Sequence, residues 1–515
     1  MKQSALTPAQ FVLTHGRRGR SKLGLAGLLL AIVFGCAFVG LLLALGGSYA
    51  ALFVMSVVLF IAGMLVPLNL LVLVIFAVVY LVVGQLQYFA RIDKAFWIPY
   101  LLGLFLYLRL LADGLQSRPR GEKGESFGGF VFVCVALFFA AAAASSLMRG
   151  ISPIQWIVAG KEYFFLWSIF FAFLTGALKP AHLERMLRFV PWFLALQVPA
   201  VVYQRFVVSR HRADSASFDS VVGLFGGDPN GGGASGAMAI FGLIAIAFMV
   251  EGWRANKVSG RRTLATVLFA TVSIVFAEVK FALILLPVLA LLLFGRQMLR
   301  QPGRAIAGLL LGAVLTVGLL AAYQAQFTSG HTRQSKSLED YVDTMIERNT
   351  GTDYLNLSTG EIGRVAAFAH WWNNQSRTDP TTTLIGSGMG STRAGALVVG
   401  ELVKRYHFKL GRSTLVLYLW EIGVLGTAAI LLVLLASVLA GFRLARSPAL
   451  AERSWMLRGS AVGLILVVLG LPYNTDFADV AQMQVLTFAL IGFIVVSGRN
   501  LPRRGAARAT LPSAA

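Results

Sequence analysis

Ionisable residues set against long apolar runs are where this chain could do chemistry. Lys161 and Glu162 begin the run 159–177, and Tyr203-Gln204-Arg205 closes the run 188–205. Glu278 and Lys280 form a hairpin, Phe276-Ala277-Glu278-Val279-Lys280-Phe281, between the runs 263–277 and 280–294. A charge beside lipid is expensive and usually marks a functional or a paired structural site. The hairpin also lacks the Gly, Asn or Pro of a solvated turn. A fourth group brackets a polar stretch at 324–411: Arg364 and His370 near its middle, then Lys404, Arg405, His407, Lys409 and Arg412 before the run 413–441. Arg and Lys offer phosphate full charge, and Arg adds bidentate contacts. The set therefore reads as a pocket for a polyanion, in which fixed cations stabilise a diphosphate leaving group. His407 suits the orienting or deprotonating of a hydroxyl, since a neutral imidazole is available near physiological pH. The structural alternatives are a local ion pair for Lys161 and Glu162, an interfacial anchor for Arg205, and headgroup binding by the basic cluster. Metal-ligand spacing is absent, with no paired histidines at helical spacing and no acidic triad, so neither metal nor cofactor is expected.

Glycines at 386, 388 and 390 punctuate Gly386-Ser387-Gly388-Met389-Gly390-Ser391. One reading is a flexible turn into a helix that runs to about Phe408, with Ser391 as its N-cap. The other is an anion cradle, in which amides around Gly388, Gly390 and Ser391 face a substrate phosphate. No strand–helix–strand unit surrounds the segment, so it is not a dinucleotide fingerprint.

The elements that must position these groups are membrane helices. Apolar residues make up 57% of the 515-residue chain and charged residues 13%, against roughly a quarter charged in soluble domains. Fourteen apolar stretches follow one another: 24–45, 48–63, 69–88, 97–113, 128–147, 159–177, 188–205, 235–252, 263–277, 280–294, 305–323, 413–441, 457–473 and 481–497. Backbone in lipid must satisfy its own hydrogen bonds, so all read as helices. The ninth and tenth are short for full spans, as tilted or partly re-entrant helices are. The fold class is an all-α polytopic membrane protein of about fourteen transmembrane helices. Its domains are a membrane part at 1–323, an insert at 324–411, a second membrane part at 412–498 and a basic tail at 499–515.

Orientation follows from Lys and Arg in the short loops. With the N-terminus inside, inner segments hold 26 basic residues and outer short loops hold 8. Both termini are then cytoplasmic, and the insert faces the periplasm of a bacterial inner membrane. The net charge of +22 is mostly this topological signal. Its dispersal among lipid-flanking loops argues against nucleic acid as a partner. Cys36 and Cys134 lie inside apolar runs and form no disulfide framework. Arg17-Arg18 precedes a retained anchor rather than a cleaved signal. Within the insert, Gly360 to Arg364 leads into an amphipathic helix at 365–372, followed by a loop at 373–383.

Three places resemble the O-antigen ligase and polymerase superfamily, the Wzy-type polysaccharide polymerases. Leu224-Phe225-Gly226-Gly227-Asp228-Pro229-Asn230-Gly231 is similar to the family's glycine–Pro–Asn outer loop. Ala277-Glu278-Val279-Lys280-Phe281 is similar to its charged hairpin. Ile385 to Ser391, followed by Arg412-Ser413-Thr414-Leu415 and Trp420-Glu421-Ile422-Gly423-Val424-Leu425-Gly426, resembles its terminal signature. Where many members carry His-Ser or Asn-Ser, this chain has Arg412-Ser413. The resemblance implies a glycosyltransferase C-like fold and a metal-independent polymerase of lipid-linked repeat units, in O-antigen, capsule or exopolysaccharide synthesis. The donor would be a glycan on undecaprenyl diphosphate. Membrane lipids and chain-length-regulating or export proteins would be its partners. Arg364, His407, Arg412 and Lys280 would be catalytic. Arg205, Lys161, Glu278, Asp228, Asn230, Gly388, Gly390 and Ser391 would bind substrate.

A ligase that transfers glycan to lipid A-core is the nearest alternative, separated by what a deletion strain accumulates. A lipid-linked oligosaccharide flippase is the second. It needs alternating access, whereas the charges here gather outside rather than at mid-membrane. A structural scaffold is the third, and would tolerate alanine at the outer cations.

Overall fold

The protein's structure, a computed structural model, describes residues 66–116, 126–208, 220–227, 233–300, 350–352, 354–356, 361–376, 379–395, 398–408 and 410–499, with residues 63 and 303. Residues 1–74 and 75–515 form separate compact units, and the contacts below belong to the second. Among the described residues, 9 helices are long and apolar enough to cross a membrane. The apolar runs at 24–45 and 305–323, and that at 48–63 but for its last residue, lie outside the described residues.

The helices before the insert are α1 (Leu68–Tyr88), α2 (Trp97–Gln116), α3 (Ser126–Met148), α4 (Pro153–Leu174), α5 (Pro180–Tyr203), α6 (Ser235–Arg254), α7 (Gly260–Phe276) and α8 (Lys280–Arg300), of which α7 and α8 are not among those 9. Each falls on a run expected from hydropathy. Two begin earlier than hydropathy suggests. Ser152 caps α4 by accepting from the Gln155 amide, with Pro153 in the first turn, as suits a helix start. Lys161 is therefore in the third turn of α4, not at its beginning. The start of α5 carries the polar His182, Glu184, Arg185 and Arg188, which hydropathy passes over.

The insert contributes a two-residue antiparallel ladder, Leu355–Asn356 with Glu361–Ile362. Then come α9 (Arg364–Trp371), α10 (Pro380–Ile385) and α11 (Glu401–Tyr406). The amphipathic helix expected at 365–372 is α9. The loop expected at 373–383 instead contains a π turn and most of α10, which Asp379 caps through the Thr382 amide. The long helix expected after Ser391 is replaced by turns and the short α11, whose N-cap is Gly400. The chain returns to the bundle as α12 (Thr414–Leu444), α13 (Ser454–Gly470), the single turn α14 (Asp476–Asp479) and α15 (Ala481–Arg499).

Burial divides the helices by environment. α6 and α15 are almost wholly enclosed, 94% and 89% buried over their apolar windows, and form the centre. Outer helices keep apolar stripes exposed, such as Leu425, Leu432, Leu435 and Leu439 on α12 and Leu264 and Leu268 on α7. In water such surface would be a liability; in lipid it is the expected outer face.

Candidate functional site

Alternating helix directions bring the α3–α4, α5–α6, α7–α8 and α13–α15 connections to one end of the bundle, and the insert packs there. Arg149 pairs with Asp379 at 3.2 Å, and the Gln155 side-chain amide donates to the Met389 carbonyl at 2.9 Å. α9 shares an apolar core with the first turns of α12, in which Ala366, Ala367 and Trp371 meet Val416, Leu419 and Trp420.

Four of the cations expected to act together, Arg205, Lys280, Arg364 and Arg412, lie at this end. Arg205 lies on the π turn Gln204–Val208 that finishes α5, and its guanidinium is 2.5 Å from Glu278. Lys280 follows two residues later as the first residue of α8. Burial pushes the Glu278 carboxyl up from its ordinary pKa, and Arg205 and Lys280 oppose that shift. The next residue, Phe281, stacks on Tyr473 with ring centroids 3.9 Å apart. On the same Tyr473 ring, the Arg364 guanidinium rests 3.9 Å from the centroid, and its Nε donates to the Tyr473 carbonyl. An aromatic stack thus joins the charged hairpin to the insert. Arg412 precedes Ser413, the cap of α12, and Thr414 donates its amide to the Asn474 carbonyl beside Tyr473. Asp228 and Asn230 lie outside the described residues.

The glycine-rich segment corrects an expectation. It is an anion cradle, but its anion is the protein's own. α12 breaks at Gly423, which adopts φ 65° inside the helix. The break frees the Trp420 and Glu421 carbonyls, which accept from the Ser387 and Gly388 amides at 2.8 and 3.0 Å. The Glu421 carboxylate then accepts from the Gly390 amide at 2.7 Å, the Thr392 amide at 3.3 Å and the Thr392 hydroxyl at 2.5 Å. Tyr163 donates its hydroxyl to the same carboxylate at 2.8 Å, and the Met389 amide donates to Ser146 Oγ at 3.2 Å. These donors are engaged, so Gly388 and Gly390 serve packing, not an incoming phosphate. Ser391 is buried and starts no helix. The close crossing demands glycine: a Cβ on Gly386 would lie 2.6 Å from the Gly423 nitrogen, and the reverse holds for Gly423.

Around Glu421 lies a charge network that the sequence reading missed. Arg393 contacts Glu162, reaches Asp479 at 2.8 Å and stands 3.9 Å from Glu421. Burial works against the charged guanidinium, but Asp479, Glu162 and Glu421 outweigh it and hold its pKa well above the ordinary value. Lys161 is buried, 2.6 Å from Glu162, with its ammonium near Phe96, Trp97 and Tyr100. Lys161 and Glu162 thus form the local ion pair that one reading of the sequence expects. A signal for Asp479 was present in Asn474-Thr475-Asp476-Phe477-Ala478-Asp479, a polar break between two apolar runs.

His407 is exposed and ends α11 in the left-handed conformation, φ 60°. His370 is the more enclosed histidine, edge-on to Tyr406 at 4.9 Å and 6.0 Å from Trp420. Among the described residues, no cluster of His, Cys, Asp and Glu could hold a metal ion. The loop before α6 is fixed by glutamines: Gln204 accepts from the Val222 and Gly223 amides at 2.9 and 2.6 Å, and Gln482 donates to the Phe225 carbonyl at 3.0 Å. Irregular backbone buried in a membrane bundle needs such partners. Compared with protein-family models and with curated proteins, the chain matches none.

Proposed function

We propose that this multi-pass membrane protein polymerises lipid-linked polysaccharide repeat units at the outer face of a bacterial inner membrane. The observation that carries the reading is the stack of Arg364 on Tyr473 on Phe281, which brings the insert's arginine to the hairpin of Arg205, Glu278 and Lys280. Arg205, Lys280, Arg364 and Arg412 hold the diphosphate of the donor. The acceptor hydroxyl attacks the anomeric carbon, the bond to the diphosphate oxygen breaks, the hydroxyl proton passes to the released diphosphate or to water, and the fixed cations stabilise the departing lipid diphosphate. The aromatic stack fits this role because it fixes the plane of the Arg364 guanidinium, the group suited to bidentate phosphate contacts.

The test is repeat-unit polymerisation in membranes. Lys280→Ala and Arg364→Ala each remove a charge-assisted contact to the leaving group. That costs on the order of 2–4 kcal/mol in the transition state, roughly 30- to 1,000-fold in rate. His407→Ala divides electrostatic catalysis, which it leaves intact, from a mechanism that uses this histidine as base. Wild-type rates in both cation variants would remove the polyanion site. The orientation, read from the basic residues of the short loops, has its own check. A cysteine at the exposed Asn373 reacts with an impermeant maleimide in cells whose outer membrane alone is opened. Labelling only after the inner membrane is broken would invert the topology.

A further inference from the structure

Arg205 already holds an anion. Its guanidinium is 2.5 Å from the Glu278 carboxylate, and the two side chains are 18% and 7% exposed. Glu278 presents that carboxylate from an unusual backbone. It follows the C-cap of α7, donates its amide to the Val275 carbonyl, and adopts φ 54°. Helices commonly stop with a left-handed residue here, and glycine usually fills the position because a Cβ is strained in that conformation. Glutamate tolerates the site poorly, yet it aims an acid at a cation of the candidate site. Among the described non-glycine residues, Arg91, Asn256 and His407 share its positive φ. Of the four, only Glu278 carries an acid.

We propose that Glu278 is an internal stand-in for phosphate: it occupies the anion seat on Arg205 when the site is empty and yields that seat to an incoming diphosphate. The proposal rests on the reading of Arg205 and Lys280 as diphosphate ligands. Paired with Glu278, the two cations present a smaller net charge, so stray anions are bound less well. When the lipid diphosphate arrives, it must outcompete a tethered carboxylate. When the product diphosphate is to leave, the same carboxylate replaces it and aids release. Internal competition of this kind exchanges affinity for turnover. It also pairs a partly enclosed guanidinium with an opposite charge in the empty state.

The experiment uses the full chain in detergent micelles, titrated with farnesyl diphosphate and with inorganic diphosphate, and followed by calorimetry. Glu278→Gln keeps the side chain's shape without its charge. Glu278→Gly removes the acid together with the left-handed strain, which offsets part of the cost of the lost ion pair. Both are expected to bind farnesyl diphosphate about tenfold more tightly than the unmodified protein, the scale of one charge-assisted contact released from competition. Arg205→Ala is expected to weaken binding, and Glu278→Gln added to Arg205→Ala to restore nothing. A gain shared by inorganic diphosphate supports a seat that reads the headgroup alone. A gain confined to farnesyl diphosphate supports one that also needs the lipid. Unchanged or weaker binding in both Glu278 variants, with binding lost in Arg205→Ala, overturns the stand-in role and leaves the diphosphate site standing. Failure of every form, the unmodified protein included, to bind either diphosphate overturns both.

Discussion

Glu421→Ala is the substitution for which the structure gives the largest consequence at one residue. The Glu421 side chain is fully buried, 0% exposed. Its carboxylate accepts from two amides, the Thr392 hydroxyl and the Tyr163 hydroxyl. Alanine strands these donors, each worth about 1–3 kcal/mol when buried without a partner. They do not simply add, because the glycine-rich segment can relax and admit water. Arg393 keeps Glu162 and Asp479, so its guanidinium is not left bare. The loss should therefore match that of a broken buried charge contact, about 3–5 kcal/mol, a large share of a total of about 5–15 kcal/mol. Tyr163→Phe removes one hydrogen bond to a charged acceptor and should cost about 1.5–3 kcal/mol. Combined with Glu421→Ala it should add little, because both act on one contact. The assay is the unfolding of purified protein in detergent, with limited proteolysis across residues 386–400. An Glu421→Ala protein that unfolds like the unmodified one and stays resistant to cleavage there would refute the internal-anion reading.

Two further outcomes follow from the same region. Gly423→Ala places a Cβ against the backbone of residues 384–386 at a position with φ 65°. It should strip the insert from the bundle and lower the yield of monodisperse protein, whereas Gly114→Ala, with open space around it, should change neither. His370 is enclosed by Tyr406 and Trp420, with Asn374 on its Nδ1, and burial lowers its pKa from 6.5. The folded state therefore resists protonation. Its contribution is whole above the unfolded value and is lost as pH falls through the folded one. The unmodified protein should lose stability from about pH 6.5 downward more steeply than His370→Gln, read as melting temperature against pH. Parallel curves would exclude His370 as the source.

The membrane helices were legible because lipid leaves few options. A long apolar run must close its own hydrogen bonds, so α1 to α8, α12, α13 and α15 fall where hydropathy puts them. The Arg205–Glu278–Lys280 hairpin was legible for a related reason: an ion beside lipid needs a purpose or a partner, and here it has a partner. What sequence could not give was which charge meets which. Tyr163 and Glu421 are 258 positions apart, and no local pattern links them. The same blindness produced the misread cradle. Amides freed by glycine at 386–392 do signal an anion, but the sequence does not say that the anion is Glu421. The insert's helices were only partly legible, since α10 and α11 are each 6 residues long and too short to show a helical period.

The break at Gly423 explains how insert and bundle interlock at the site end. From Val424 to Leu444 the helix rises about 30 Å at about 1.5 Å per residue, which already matches a hydrocarbon core of about 30 Å. The turns from Thr414 to Ile422 are therefore not needed for crossing. They supply Val416, Leu419 and Trp420 to the core beneath α9, and the Trp420 and Glu421 carbonyls to the glycine-rich segment. The same turns are tied at their start to Leu471 and Asn474, on either side of Tyr473. Arg364 sits on α9 and on Tyr473 at once. Its position is thus set twice, through the insert core and through the α13–α15 connection, and both routes pass through the first turns of α12. An arginine held this way is pre-organised, the property on which the proposed stabilisation of a leaving group would draw.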